Sequence, residues 1–261
     1  MIGIFDSGLG GLTVARNIRR LLPEHDFFYF GDTARSPYGN KSPKTLIQYS
    51  IQGADFLIKN GAKALVIACN STVSVAFESL MEKTDIPIFD VVSPAVKLAI
   101  QVSKKLRFGV IGTRATVESG VYEKKIKEIS PDAKVYSRAC PLLVPLVEEG
   151  WLKKPEARMI VKKCVHPLKV RQIDTLILGC NQYAVLTKII RTKIGKRVEI
   201  IDPSNAVAEN LKEFFENHPE IDNLLEKNGR SRFFVSDMTK WAESAAKAIF
   251  KGTIHLEHVQ L

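Results

Sequence analysis

The chain has 261 residues, of which 45% are hydrophobic and 25% are charged, and its formal net charge is +10. This length and composition are typical of one large or two ordinary globular domains. No apolar stretch approaches the roughly 20 residues that span a bilayer, so we expect a cytoplasmic protein with no membrane association. The basic residues are dispersed and no nucleic-acid-binding module surrounds them, so we expect no nucleic-acid partner.

Short apolar runs alternate with longer amphipathic segments along the whole chain. Strands are predicted at 2–5, 27–30, 64–67, 88–90, 107–111, 134–137, 175–178 and 198–201. Helices are predicted at 12–22, 43–60, 93–104, 117–129, 154–171 and 206–218. This alternation is typical of α/β folds, in which crossover helices join parallel strands and ligands bind at the carboxyl ends of the strands.

The first glycine-rich motif, "IGIFDSGLGGLTVA", reads as a strand, a tight turn and a helix start. Backbone N–H groups at such a turn favour an anion. Thr13 stands where a dinucleotide-binding turn needs Gly or Ala, so that fingerprint fails. Asp6, at the strand end, suits an ammonium group, and an anion site beside a carboxylate indicates an amino-acid ligand. Alternatively, Asp6 or Ser7 only caps the following helix.

Two distant stretches share one pattern. "KALVIACNSTV" and "DTLILGCNQYA" both run from an apolar strand through a small residue to Cys-Asn, and the two cysteines, Cys69 and Cys180, lie 111 residues apart. The pattern predicts two similar α/β halves, although a chance likeness of two strand ends remains an alternative. Two thiols flanking one carbon could act as base and acid on opposite faces, which inverts a stereocentre without a cofactor. Nucleophilic catalysis by one thiol is the competing hypothesis.

The other two cysteines and the histidines show no comparable pattern. Cys140 and Cys164 are expected in or near the core, and no Cys-x-x-Cys pair or metal-spaced histidine pair occurs. We therefore expect free thiols, no metal site and no cofactor.

The motifs "GIFDSGLGGLTV", "FGDTARSPYGNKS", "ACNST", "GVIGTRATVESGVYEKKI", "ACPLLVPLVEEG" and "IDTLILGC" occur in the order found in one family. On these motifs the chain resembles a glutamate racemase of the aspartate/glutamate racemase superfamily. The resemblance implies two pseudo-symmetric α/β domains with mainly parallel sheets, 1–93 plus 207–261 and 94–206, with the active site in the cleft between them. It also implies cofactor-independent interconversion of L- and D-glutamate, which supplies D-glutamate for peptidoglycan, and it is compatible with a homodimer.

The resemblance also assigns roles to residues. Cys69 would take the α-proton from D-glutamate and Cys180 the one from L-glutamate, with Asp6 as a further catalytic group. Glu148, favoured by the motif over Glu149, would be an auxiliary acid. The substrate-binding residues would be Asp6, Ser7, Tyr38, Gly39, Asn70, Ser71, Thr113, Thr116, Asn181 and Gln182.

The sequence departs from the family after the second cysteine. The usual Thr-His is replaced by Asn181-Gln182, and an amide cannot carry a proton near neutral pH. Three hypotheses follow: glutamate racemisation with a weaker base at Cys180, racemisation of another acidic amino acid such as aspartate, or a binding role with weak or lost activity. Without a charged neighbour, the pKa of Cys180 is expected to lie nearer its ordinary value.

Overall fold

The computed structural model describes the backbone of residues 1–261 and every side chain except that of Trp241. The strands are β1 (Ile2–Asp6), β2 (Phe27–Gly31), β3 (Ala64–Ile67), β4 (Ile88–Asp90), β5 (Arg107–Gly112), β6 (Lys134–Ala139), β7 (Thr175–Gly179), β8 (Glu199–Ile201), β9 (Ser231–Val235) and β10 (Leu256–His258).

The α-helices are α1 (Leu12–Leu21), α2 (Pro43–Lys59), α3 (Asn70–Met81), α4 (Val92–Val102), α5 (Arg114–Glu118), α6 (Val121–Ile129), α7 (Leu143–Glu148), α8 (Pro155–Val170), α9 (Thr187–Ile194), α10 (Pro203–Asn217), α11 (Pro219–Asp222) and α12 (Lys240–Phe250). Short 3₁₀ segments span Thr33–Arg35, Tyr38–Asn40, Trp151–Lys153 and Asn181–Leu186. No helix in the described structure is both long and apolar enough to span a bilayer.

The strands form two sheets in which neighbouring strands run parallel. The first sheet has six strands in the order β10-β9-β2-β1-β3-β4, and the second has four in the order β6-β5-β7-β8. This confirms the prediction of an α/β fold with two mainly parallel sheets. In both sheets a central strand, β3 or β7, delivers a Cys-Asn pair just past its carboxyl end.

Helices α4 and α10 lie between the two sheets. They pack against each other. Helix α10 contacts β4 of the first sheet and β7 of the second, and α4 contacts β7 and β8 of the second sheet. Their buried apolar residues belong to one large core that also takes in the first sheet and the near side of the second. A smaller core on the other side of the second sheet is closed by α8 and α9. The apolar packing therefore holds both sheets in one arrangement and fixes the relation of their strand ends.

The structure corrects several predicted elements. The helix predicted at 117–129 is two helices, α5 and α6, because Gly120 adopts a left-handed conformation (φ +67°) between them. Helix α10 begins at Pro203, where the Asp202 carboxylate caps it by accepting a hydrogen bond from the Ser204 N–H at 3.0 Å. Strands β9 and β10 were not predicted, since their apolar runs are short and lie among charged residues. Helices α3, α7, α9, α11 and α12 were not predicted either.

Candidate active site

Cys69 and Cys180 line the same small cavity, of about 40 Å³, between the carboxyl ends of the two sheets. Cys69 stands immediately before α3, and Cys180 stands between β7 and the 3₁₀ segment Asn181–Leu186. The similar stretches of the sequence thus place their thiols at equivalent ends of two different sheets and bring them to one place.

Most of the residues proposed from the sequence meet at this cavity. All of them line it except Thr116 and Glu148, which lie behind residues that do. Pattern reasoning missed four further lining residues: Gly10, Ser36, Pro37 and Val144. Gly10 belongs to the first glycine-rich motif, which is the sequence signal that could have identified it. In the structure a Cβ at Gly10 would lie only 2.7 Å from Cγ of Gln182. The glycine-rich turn therefore packs directly against the loop that follows Cys180.

Asp6 lies at the end of β1 and is almost fully buried, with 4% of its surface exposed. Its carboxylate accepts hydrogen bonds from the Gly8 N–H at 3.1 Å and from the Tyr29 hydroxyl at 3.4 Å. Burial raises the pKa of Asp6, and the surrounding backbone N–H donors only partly offset this effect. Asp6 is thus a buried carboxyl group at the cavity wall, suited to a cation.

The Cys69 thiol donates a hydrogen bond to the Ser7 hydroxyl, with a sulfur–oxygen distance of 3.2 Å. Burial raises the pKa of Cys69, and the nearby charge of Asp6 raises it further. Donors on Ser7 and Thr72 act in the opposite direction, because they stabilise the thiolate. Burial therefore favours the thiol form of Cys69, while the hydroxyls of Ser7 and Thr72 lie where they can stabilise its thiolate.

Burial also raises the pKa of Cys180, and the charges of Cys69 and Asp6 add to that effect. The groups that favour its thiolate are backbone N–H donors, those of Gln182 and Tyr183. The expectation that this pKa would lie near its ordinary value was wrong. The sequence showed the absence of histidine but not how the surrounding chain desolvates this partly exposed thiol.

Gln182 occupies the position beside Cys180 and connects it to Glu148. Its Nε2 donates to Oε1 of Glu148 at 3.1 Å, while its own Oε1 is buried without a partner. Burial raises the pKa of Glu148, the Gln182 hydrogen bond lowers it, and the charge of Glu149 raises it. Glu148 therefore touches the site through Gln182 rather than lining the cavity itself.

The loop that carries Tyr38 and Gly39 closes the cavity against the second sheet. The Tyr38 hydroxyl donates to Oδ2 of Asp32 at 2.5 Å, so its proton is already engaged and its oxygen can act only as an acceptor. A Cβ at Gly39 would lie 2.5 Å from Cβ of Thr113, so only glycine allows this approach. The Thr113 hydroxyl lies 2.9 Å from that of Ser71 and 3.1 Å from that of Thr116, which places Thr116 in a supporting layer.

Cys140 and Cys164 are both buried in the smaller core, as the sequence predicted. The Cys140 carbonyl accepts a hydrogen bond from the Tyr183 hydroxyl at 2.8 Å, which braces the segment after Cys180. Among the described residues, no cluster of three or more His, Cys, Asp or Glu side chains is placed to hold a metal ion.

Two thiols on one cavity beside a buried carboxyl group could remove a proton from one face of a carbon and return one to the other, which is the chemistry of a racemase. Residues 9–211 match the family model described as Asp/Glu/Hydantoin racemase. The chain belongs to this family, which confirms the resemblance seen in the motifs.

Individual relatives cover the chain from end to end. A glutamate racemase from Persephonella marina is 44% identical over 260 residues, which are 100% of this chain and 97% of that protein. The crystal structure of a glutamate racemase isoform from Bacillus anthracis has a TM-score of 0.94 at 35% identity and covers 100% of this chain and 97% of its own. The glutamate racemase from Francisella tularensis, solved in complex with D-glutamate, has a TM-score of 0.91 at 35% identity and covers 99% and 97%.

Proposed function

We propose that this protein is a glutamate racemase that interconverts L- and D-glutamate without a cofactor. The observation that carries the proposal is the placement of two thiols, from equivalent ends of two different sheets, on one closed cavity beside a buried carboxyl group. The full-length similarity to proteins named glutamate racemases supports glutamate as the substrate.

In the proposed reaction, one cysteine acts as a base and the other as an acid. A thiolate removes the proton from Cα, and the electron pair of the C–H bond passes into the α-carboxylate. The opposite thiol then donates its proton to the other face of Cα, so that the configuration is inverted and a new thiolate remains. Cys69 takes the proton from D-glutamate, and Cys180 takes it from L-glutamate.

The charges at the site support a role for the substrate in thiolate formation. Burial and the charge of Asp6 raise the pKa of both thiols. A substrate ammonium group beside Asp6 offsets the repulsion between the Asp6 carboxylate and a thiolate. Its positive charge therefore lowers both thiol pKa values. Asp6 is therefore proposed to bind the ammonium group and to couple binding to thiol ionisation.

The carboxylates of the substrate are proposed to bind where hydrogen-bond donors converge. Helix α3 begins directly after Cys69 and lacks a side-chain cap, so its first N–H groups are available to an anion. Ser7, Ser71 and Thr113 add hydroxyl groups that line the cavity, and Asn70 adds the amide N–H that is not bonded to Asn181. The cavity holds only a few water molecules at its present size, so its walls must separate to admit glutamate.

The remaining site residues are proposed to act as follows. Gln182 contributes the acceptor that has no protein partner, its buried Oε1, and Glu148 orients Gln182 from behind. Gly39 and the backbone around Tyr38 close the cavity over the substrate. Thr116 supports Thr113 and does not contact the substrate.

We further propose that the domains divide as 1–93 plus 207–261 and 94–206. All strands of the six-stranded sheet fall in the first set and all strands of the four-stranded sheet in the second. Both boundaries lie in the first turns of α4 and α10, which pack on each other. Small rotations about this pair would open the cavity without unfolding either core.

The biological role proposed for this activity is the supply of D-glutamate for peptidoglycan synthesis in the cytoplasm. The protein is proposed to act as a homodimer, which sedimentation of the purified chain would test.

Circular dichroism of each enantiomer of glutamate and of aspartate, incubated with the purified protein, tests the function. We expect the signal of L- and of D-glutamate to decay to zero, and the aspartate signals to persist. The matched control is Cys164→Ala, which removes a thiol outside the cavity and should leave turnover in place, whereas Cys69→Ala should abolish it. Decay with aspartate but not glutamate would identify a different racemase, and no decay with either would contradict racemisation.

A further inference from the structure

Asn181 bridges the two sheets at the point where the two thiols emerge. Its Nδ2 donates a hydrogen bond to the carbonyl oxygen of Ala68, and its Oδ1 accepts one from Nδ2 of Asn70 at 3.3 Å. Asn70 in turn accepts a hydrogen bond from the Tyr122 hydroxyl at 2.6 Å. All four residues are at least 96% buried, with exposed fractions of 0% for Ala68, 2% for Tyr122, 3% for Asn70 and 4% for Asn181.

The partners of this bridge are the chain neighbours of the catalytic thiols. Asn181 directly follows Cys180, while Ala68 and Asn70 directly precede and follow Cys69. Consecutive Cα atoms are about 3.8 Å apart, so a bond between these neighbours leaves little freedom for one thiol to move relative to the other. The Asn181 side chain thus connects the segment after Cys180 to the residues on both sides of Cys69.

The same bonds occupy the amide of Asn181. Its oxygen and one of its two N–H groups have protein partners, and breaking such buried hydrogen bonds to turn the amide towards a ligand is costly. Gln182, the next residue, differs because its Oε1 has no partner. Asn181 is therefore poorly placed to serve as a substrate ligand, which is the role that its position in the sequence suggested.

We propose that Asn181 is a positioning residue: its amide, bonded to Ala68 and Asn70, sets the relation of Cys180 to Cys69 and does not bind the substrate carboxylate. This inference rests on the proposed two-thiol racemisation. Tyr122 fixes the orientation of the Asn70 amide and so completes the bridge from a place that does not line the cavity.

The test compares kcat and KM for racemisation of both enantiomers of glutamate, after wild-type activity has been established. Asn181→Ala removes both bonds of the bridge. Because a displacement of about 1 Å at the reacting groups can lower turnover about a hundredfold, we expect kcat to fall by roughly that factor in both directions. KM for each enantiomer should stay within about threefold, since no substrate contact is lost.

Tyr122→Phe tests the bridge from outside the cavity and keeps the inference falsifiable if Asn181→Ala does not fold. It should lower kcat about three- to tenfold with KM unchanged, because the Asn70 amide loses one of its two anchors. Tyr136→Phe is the matched control: Tyr136 lies on β6 beside the guanidinium groups of Arg107 and Arg171, so its kinetics should equal those of the wild type.

The outcomes separate positioning from binding. A fall in kcat for Asn181→Ala and Tyr122→Phe, with KM preserved and Tyr136→Phe unaffected, supports the inference. A rise of tenfold or more in KM for Asn181→Ala with kcat preserved would identify Asn181 as a substrate ligand and overturn it. Normal kinetics in Tyr122→Phe would also overturn it. A wild-type protein without racemase activity would instead contradict the function proposed above.

Discussion

The two thiol-bearing loops begin from the same pattern of strand, small residue, cysteine and asparagine, yet they give the two thiols different surroundings. Cys69 precedes a twelve-residue helix, α3, and bonds to the Ser7 hydroxyl at 3.2 Å. Cys180 precedes a 3₁₀ segment and has backbone N–H donors, with the Gln182–Glu148 pair beside it. Burial raises the pKa of both thiols, but the groups that stabilise each thiolate differ.

Two loops with the same Cys-Asn pattern therefore need not have the same chemistry. A racemase uses each thiol once as base and once as acid, so equal performance requires that the two thiolates have similar free energies. At Cys69 that stabilisation comes from the hydroxyls of Ser7 and Thr72 together with the Thr72 N–H, whereas at Cys180 the donors are backbone N–H groups only.

The largest effect is expected from removing either thiol. Cys69→Ala and Cys180→Ala should each lower kcat for racemisation of glutamate by about 10³-fold or more, since a positioned acid or base contributes about 10²- to 10⁴-fold and both are needed. Circular dichroism of each enantiomer measures this loss. A variant that lost one thiol and kept more than a tenth of its activity would show that the two loops are not partners in one reaction.

The next largest effect is expected from Asp6→Asn. Losing a charge-assisted hydrogen bond of about 1.5–3 kcal/mol to the ammonium group should lower kcat/KM roughly ten- to a hundredfold. The charge of Asp6 raises both thiol pKa values, so the same variant should alkylate with iodoacetamide at lower pH. The exposed Asp132 supplies a control, Asp132→Asn, which should change neither quantity. Unaltered alkylation profiles in Asp6→Asn would contradict the electrostatic role.

A smaller effect is expected from Gln182→His. A protonated imidazole beside Cys180 favours its thiolate and lowers its pKa. Turnover from L-glutamate at pH 7 should therefore rise about two- to tenfold, and the gain should vanish as the pH rises and the imidazole loses its charge. Because the equilibrium constant is one, kcat/KM must stay equal for the two enantiomers, so the gain in turnover from L-glutamate must be matched by compensating changes in KM. Gln182→Met, which has similar size but no amide, should give no gain; an equal gain there would assign the effect to packing.

The smallest effect is expected from Ser7→Ala, which removes the hydroxyl partner of Cys69 only. The pKa of Cys69 should rise, so its alkylation should require a higher pH, while the profile of Cys180 should not change. Mass spectrometry of the two cysteine-containing peptides after timed alkylation separates them. A shift at both thiols, or at neither, would show that the hydroxyl does not create the difference between the loops.

The sequence predicted the fold and the position of the site because both depend on local patterns. Apolar runs ended by small residues marked the strands that carry Asp6, Cys69 and Cys180, and the parallel arrangement brings their ends together. The strands β9 and β10 could not be predicted in the same way, since they are stabilised by pairing with distant strands and not by their own short apolar runs.

The details of the site depend on how strongly each group is shielded from water and on contacts between residues distant in sequence. A single sequence shows neither. The pKa of Cys180 is raised because the folded chain excludes water around it. Asn181 is engaged by residues 111 and 113 positions away, and Val144 reaches the cavity from α7, a helix that sequence patterns did not predict.

The most direct test of the central claim, that two thiols exchange the α-proton of glutamate from opposite faces, is racemisation in D₂O followed by mass spectrometry at early times. Starting from either enantiomer, we predict that the product carries one deuterium at Cα while the remaining substrate stays unlabelled, because the accepting and donating groups are different. Substrate that gains deuterium as fast as product forms, or product that retains the original proton, would mean that a single group performs both transfers and would contradict the two-thiol account.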